Sequence, residues 1–174
     1  MPLSKKINNS TLSLIKGDLT DLDIEAFVFY AESHLKLGAG FGNAITMRGG
    51  VEIKKELDTH EPIEVSEAII TGAGLLKANY IIHANGPKYS EENTESKYEA
   101  TLKNSLKCAE EKGIKKIAYP PMGTGFYAIP PPYCAQTMVK IFSDYLEGET
   151  TIEEITICAM DTREYEPFKP HFTD

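Results

Sequence analysis

The chain has 174 residues, a net charge of -8 and three cysteines. That length is enough for one domain that buries roughly two thirds of its unfolded surface, and no glycine-serine or proline-rich linker divides it, so residues 1–174 are expected to form a single unit. The acidic balance excludes a non-specific nucleic-acid binder, which needs a field of lysine and arginine, and no stretch reaches the ~20 apolar residues that cross a bilayer.

The N-terminal MPLSKKINNS has two lysines and no apolar run behind them, so no targeting segment is read there, and a soluble, cytoplasmic protein is expected. Cys108, Cys134 and Cys158 lie far apart with no C-x-x-C and no histidine cluster. Buried free thiols are the simpler reading, a reactive thiol the alternative. No metal and no cofactor is expected. An anionic ligand of so acidic a chain would have to be held by local donors.

Taken in order, residues 11–18 alternate polar with apolar and predict a strand exposed on one face. The run Ala26-Phe27-Val28-Phe29-Tyr30-Ala31 does not alternate and predicts a central strand buried on both faces. A glycine loop follows, Gly38-Ala39-Gly40-Phe41-Gly42, and residues 43–47 open a short helix whose free N–H groups and partial positive charge point back at it. Gly49-Gly50 breaks that helix, and residues 51–57 form another with Val51, Ile53 and Leu57 apolar.

Residues 68–71 and 80–84 read as short strands joined through Gly72-Ala73-Gly74. Within the second, His83 sits among apolar neighbours and reads as a hydrogen-bonded core histidine rather than a general base. His34, nearer the first loop, is a weak candidate. From residue 95 to 112, Tyr98, Leu102, Leu106 and Ala109 recur at helical spacing, with Gly113 at the C-cap position.

An apolar run closing near Ile117 leads into a second glycine loop, Gly123-Thr124-Gly125-Phe126-Tyr127. Gly123 and Gly125 can take positive φ and carry no Cβ, so successive backbone N–H groups can face a phosphate. Both loops share the order Gly-x-Gly-Phe, and two such cradles could grip a diphosphate from both sides, although neither fits the dinucleotide or P-loop pattern. Pro130-Pro131-Pro132 then starts a helix over residues 133–146, and residues 155–160 form the last strand. The aromatic tail beyond it would either cap a ligand or cover the core.

Strands alternating with helices imply an α/β domain with a mainly parallel sheet covered on both faces. Ligands in such sheets bind at the carboxyl ends of the strands, where both loops sit.

Five segments in this order resemble the macro domains that bind ADP-ribose, over roughly residues 11–165: Gly17-Asp18-Leu19-Thr20, Glu25-Ala26-Phe27-Val28, Leu37-Gly38-Ala39-Gly40-Phe41, Ile81-Ile82-His83-Ala84-Asn85-Gly86-Pro87 and Pro121-Met122-Gly123-Thr124-Gly125-Phe126-Tyr127. The resemblance implies a three-layer α/β/α sandwich with a mixed, mainly parallel sheet, and a cleft holding ADP-ribose between the glycine loops. It also implies that Asp18 accepts a hydrogen bond from the adenine amine, that Leu19 adds a backbone contact, and that Phe126 and Tyr127 line the distal ribose and phosphates. Tyr165 is implied as a ring against the adenine. The plainer readings are a turn aspartate for Asp18 and core aromatics for Phe126 and Tyr127.

The chain departs from the family in two places. The common N-A-A-N reads here Phe29-Tyr30-Ala31-Glu32, and the aspartate that de-ADP-ribosylating members carry beyond the first loop is Gly42. Glu32 could accept hydrogen bonds from a ribose diol and, if desolvated, act as a base. Three functions therefore stand: a module that binds ADP-ribose or ADP-ribosylated protein; a hydrolase removing ADP-ribose, phosphate or acyl groups through water near Glu32; and a fold that has lost the nucleotide and serves as an interaction domain.

Overall fold

Leu3–Ile7 (β1) and Ser10–Lys16 (β2) pair antiparallel in the computed structural model, which describes residues 2–38 and 40–173. β1 is not among the strands that alternation predicts. Its two lysines mask the alternation of Leu3, Lys5 and Ile7, and its pairing is set by Asn8, which turns the chain at φ 53°, in the left-handed region that asparagine tolerates. Ala26–Ala31 (β3) is buried along its whole length, as its unbroken apolar run predicts.

Phe41–Gly49 (α1) and Val51–Leu57 (α2) follow, then Ala68–Gly72 (β4), Tyr80–Asn85 (β5), Thr94–Glu111 (α3), Lys116–Tyr119 (β6), Pro131–Glu147 (α4), Glu154–Ala159 (β7) and Thr162–Tyr165 (α5). The sheet has seven strands in the order β1-β2-β7-β6-β3-β5-β4. Its five inner strands are parallel, and both edge strands run antiparallel to their neighbours. This is a three-layer α/β/α sandwich with a mixed sheet.

The period of two along β3 sends its side chains to opposite layers. Val28 and Tyr30 join Tyr98 and Leu102 of α3 and Met138 and Phe142 of α4 in one cluster. Phe27 and Phe29 join Ile45 of α1 and Ile53 and Leu57 of α2 in the other. The tail packs on the α4 side of the core through Tyr165 of α5 and Phe168, which precedes the 3-10 turn Lys169–His171.

α1 starts at Phe41, two residues before the expected Asn43, so the end of the first glycine loop is already the first turn of a helix. Its N-cap, Gly40, makes no side-chain cap bond, so the first-turn N–H groups stay available. Among the described residues no helix is long and apolar enough to cross a membrane.

Candidate functional site

At the carboxyl ends of β3, β5, β6 and β7 lies a cavity of about 980 Å³, near the upper end of the roughly 300–1,000 Å³ typical of small-molecule sites. Gly38, Gly40 and Phe41 of the first loop wall one side, and Gly123, Thr124, Gly125, Phe126 and Tyr127 of the second wall the other. Leu19 and Glu32 also line it. Ala39 lies outside the described residues.

The second loop is a tight turn whose backbone donors are left over. Gly123 has φ 78° and accepts a bond from Ile129 N–H at 3.0 Å, Gly125 accepts one from Ala128 N–H at 3.0 Å, and these two bonds close the turn. The backbone N–H groups of residues 123–127 donate to no acceptor among the described residues. Gly125, in contrast to expectation, has no positive φ; the left-handed positions are Gly123 and Ala128. Leu35, just before the first loop, is also left-handed at φ 62°. Such conformations cost of order 1–3 kcal/mol in non-glycine residues and collect at functional sites.

Among the described lining residues the only lysines or arginines are Lys36 and Lys88, against the acids Glu32, Glu91 and Glu164. An anion here therefore depends on backbone donors. Lys88 Nζ sits over the Phe126 ring, 5.2 Å from its centre, and Phe126 is 82% exposed on the cavity wall. Tyr89 N–H donates to the Tyr127 carbonyl at 2.9 Å and ties the segment after β5 to the second loop.

Glu32 leaves β3 into a tight turn: its carbonyl accepts from Leu35 N–H at 3.0 Å and its Oε1 from Lys36 N–H at 2.7 Å. One carboxylate oxygen is thus already engaged in holding the loop. Tyr127 stands close by, and burial first, then the Glu32 charge, raises its phenol above the ordinary value. Asn85 pins the same loop, donating to Ser33 Oγ at 3.1 Å and to the Ile63 carbonyl at 3.0 Å. Asn85 was visible in the motif that carries the resemblance, but its role depends on loops far apart in sequence.

The departures from N-A-A-N have a steric logic. Tyr30 lies beneath the cavity, its hydroxyl donating to the Pro87 carbonyl and its ring 4.6 Å from that of Tyr127. A Cβ on Gly86 would collide with the Tyr30 ring, and one on Gly123 would come within 3.0 Å of Tyr30 Cζ and 2.7 Å of Ile129 Cγ1. The tyrosine and the two glycines occupy one volume between β3, β5 and β6. Gly86→Ala is expected to lower stability by about 1–3 kcal/mol through overpacking, and Tyr30→Ala alone by about 3–5 kcal/mol. Denaturant unfolding of the double variant should show a smaller loss than the sum; strict additivity would mean the two do not share this space.

Gly42, at the position of the family's aspartate, leaves no room for a side chain, because a Cβ there would collide with the Leu37 carbonyl. Asp18 and Tyr165 do not line the cavity. Asp18 caps the 3-10 turn Leu19–Asp21, its Oδ1 accepting from Thr20 N–H at 3.0 Å and Thr20 Oγ1 at 2.6 Å, and its Oδ2 pairs with Arg48 of α1. Burial raises its carboxyl, but the Thr20 bonds and Arg48 outweigh that and hold it below the usual carboxylate range. Tyr165 is 9% exposed and packs in the α4-side core, with Lys16 Nζ 5.2 Å from its ring centre.

His83 is buried, bonded to Thr71 Oγ1 at 3.0 Å, and burial pulls it down to about 3, so it is a neutral core histidine. His34 does line the cavity. Among the described residues no cluster of metal-binding side chains occurs.

Residues 29–138 match the family model described as Macro domain. The chain belongs to the macro domain family. A macro domain-containing protein of Caldanaerobacter subterraneus subsp. tengcongensis is 36% identical over 169 residues, covering 94% of this chain and 96% of that protein. O-acetyl-ADP-ribose deacetylase 2 of Pantoea vagans is 30% identical over 161 residues, covering 89% and 94%. The Oceanobacillus iheyensis macrodomain solved with ADP superposes with a TM-score of 0.87 at 25% identity, covering 98% of this macro domain and 94% of that chain.

Proposed function

We propose that this macro domain binds ADP-ribose, free or attached to protein, with the diphosphate held between the loops 38–42 and 123–127. The observation that carries this reading is the run of unpaired backbone donors at residues 123–127 on a cavity that the N-terminal turn of α1 also lines. Oriented N–H groups and a helix N-terminus bind phosphate without side-chain cations, which suits a chain of net charge -8. The Oceanobacillus relative solved with ADP supports the same ligand class. Three free thiols fit a reducing, intracellular compartment.

Binding without rapid turnover is the reading we favour. No side chain fits at Gly42, and the Glu32 carboxylate already serves the Lys36 N–H. Donors that hold substrate and transition state equally do not raise turnover. The deacetylase relative, and the place of Glu32 on the cavity wall, support acyl removal from an ADP-ribose ester as the second reading.

Calorimetry with ADP-ribose should show one saturable site, and release of ADP-ribose from modified protein should be slow or absent. Absence of heat at millimolar ADP-ribose would leave an interaction domain as the surviving reading. Rapid release of acetate or ADP-ribose that Glu32→Gln abolishes would make Glu32 the base and the protein a hydrolase.

A further inference from the structure

At Phe126 the cavity wall passes into an outer surface that a bound nucleotide leaves free. Phe126 lines the cavity, whereas Tyr89 and Tyr133 do not. Among the described residues, Phe126 and Tyr89, the latter 48% exposed, are the two aromatics among the exposed large apolar side chains. The bond from Tyr89 N–H to the Tyr127 carbonyl, 2.9 Å long, sets their two segments side by side. Tyr133, in the first turn of α4, is half-buried against Tyr98, with ring centres 5.7 Å apart. A single exposed ring is ordinary, but apolar side chains gathered at the edge of a cavity mark a contact surface.

Acids flank these rings. Glu91 pairs with Lys97 at 3.4 Å, but Glu92, Glu95 and Glu99 form no ion pair among the described residues. Glu95 and Glu99 are four apart on α3 and so share one face of that helix. Burial first, then the charges of Glu95 and Glu99, raise the Tyr133 phenol against the pull of Thr137, so both carboxylates stand near that ring. Against them the aromatics hold one lysine, Lys88 over Phe126.

We propose that this surface docks a basic segment of the protein that carries the ADP-ribose, with arginine or lysine flanking the modified residue. Such docking presupposes the ADP-ribose reading: a nucleotide seated in the cavity leaves its carrier outside, and the carrier chain has to cross the rim. Guanidinium and ammonium groups are drawn to the faces of exposed aromatic rings, and Glu95 and Glu99 supply the opposite charge. Tyrosine and arginine are the side chains that most often carry binding energy at protein contacts. An acidic carrier would bring like charges together at the same place, which is how charged rims reject wrong partners.

The test is calorimetry with free ADP-ribose and with two peptides carrying ADP-ribose on the same central serine, one flanked by arginines and the other by glutamates. The parent should bind the arginine-flanked peptide about tenfold more tightly than the glutamate-flanked one, and high salt should shrink that ratio. Tyr89→Ala and the double variant Glu95→Gln/Glu99→Gln, each shown by circular dichroism to be folded, should bring the two peptides within about threefold of each other. Neither variant touches the cavity wall, so free ADP-ribose should bind both as it binds the parent. Peptides that bind the parent equally, or variants that keep the parent's ratio, overturn the docking surface and leave the ADP-ribose reading intact. A parent that sediments as a dimer and dissociates on Tyr89→Ala gives the surface to a second copy of the chain and overturns the proposal in that way. A parent that binds neither free ADP-ribose nor either peptide overturns both readings.

Discussion

Replacing Gly125 by valine is expected to weaken ADP-ribose binding by about ten- to a hundredfold, or ~1.4–2.7 kcal/mol, with no loss of stability. The side chain meets nothing within 4 Å, and the backbone there is not left-handed, so the folded protein accepts it without strain. The branched methyls then stand at the cavity wall beside the donors of residues 123–127. Gly123 is the wrong position for this test: its φ of 78° and the 2.7 Å approach to Ile129 Cγ1 would disturb the fold as well as the ligand. Calorimetry and a melting curve on Gly125→Val decide the matter. Parental affinity in a variant that melts normally would put the phosphates elsewhere.

Restoring the aspartate of hydrolytic relatives is expected to fail for a structural reason. In Gly42→Asp the new Cβ collides with the backbone of Leu37, and a backbone atom cannot swing aside as a flexible side chain can. The first glycine loop or the start of α1 must shift, at a cost of about 3 kcal/mol or more. For a chain of this size that lowers the melting temperature by roughly 6–12 °C. Gly42→Ala should show most of the same loss, because the collision is made at Cβ and owes nothing to charge. Scanning fluorimetry on both variants, with an assay of ADP-ribose release, checks this. A Gly42→Asp protein that melts like the parent and releases ADP-ribose rapidly would show that the loop gives way freely and that only the missing carboxylate keeps the parent from turnover.

Much of the cavity could be read from residues near one another in the chain. The apolar run of β3 and the helical spacing of α3 follow from local periodicity, and Gly38, Gly40 and Gly123, all with positive φ, follow from turn chemistry. Since both glycine loops follow parallel strands, topology brings them to one end of the sheet without any detail of side-chain packing.

Which side chains face the cavity was decided elsewhere. Asp18 and Arg48 are 30 residues apart, and nothing local to Asp18 announces that the guanidinium takes its second oxygen. Tyr165 and Glu164 are neighbours, yet the single turn of α5 sends the first into the core and the second to the cavity, because successive helical residues point about 100° apart and burial of the ring fixes the rotation. Tyr30 shares its space with Gly86 and Gly123, each on a different strand end. Turn propensity and alternation act within a few residues and are written in the sequence; exclusion of two side chains from one volume acts between strands, and only the packed fold shows it.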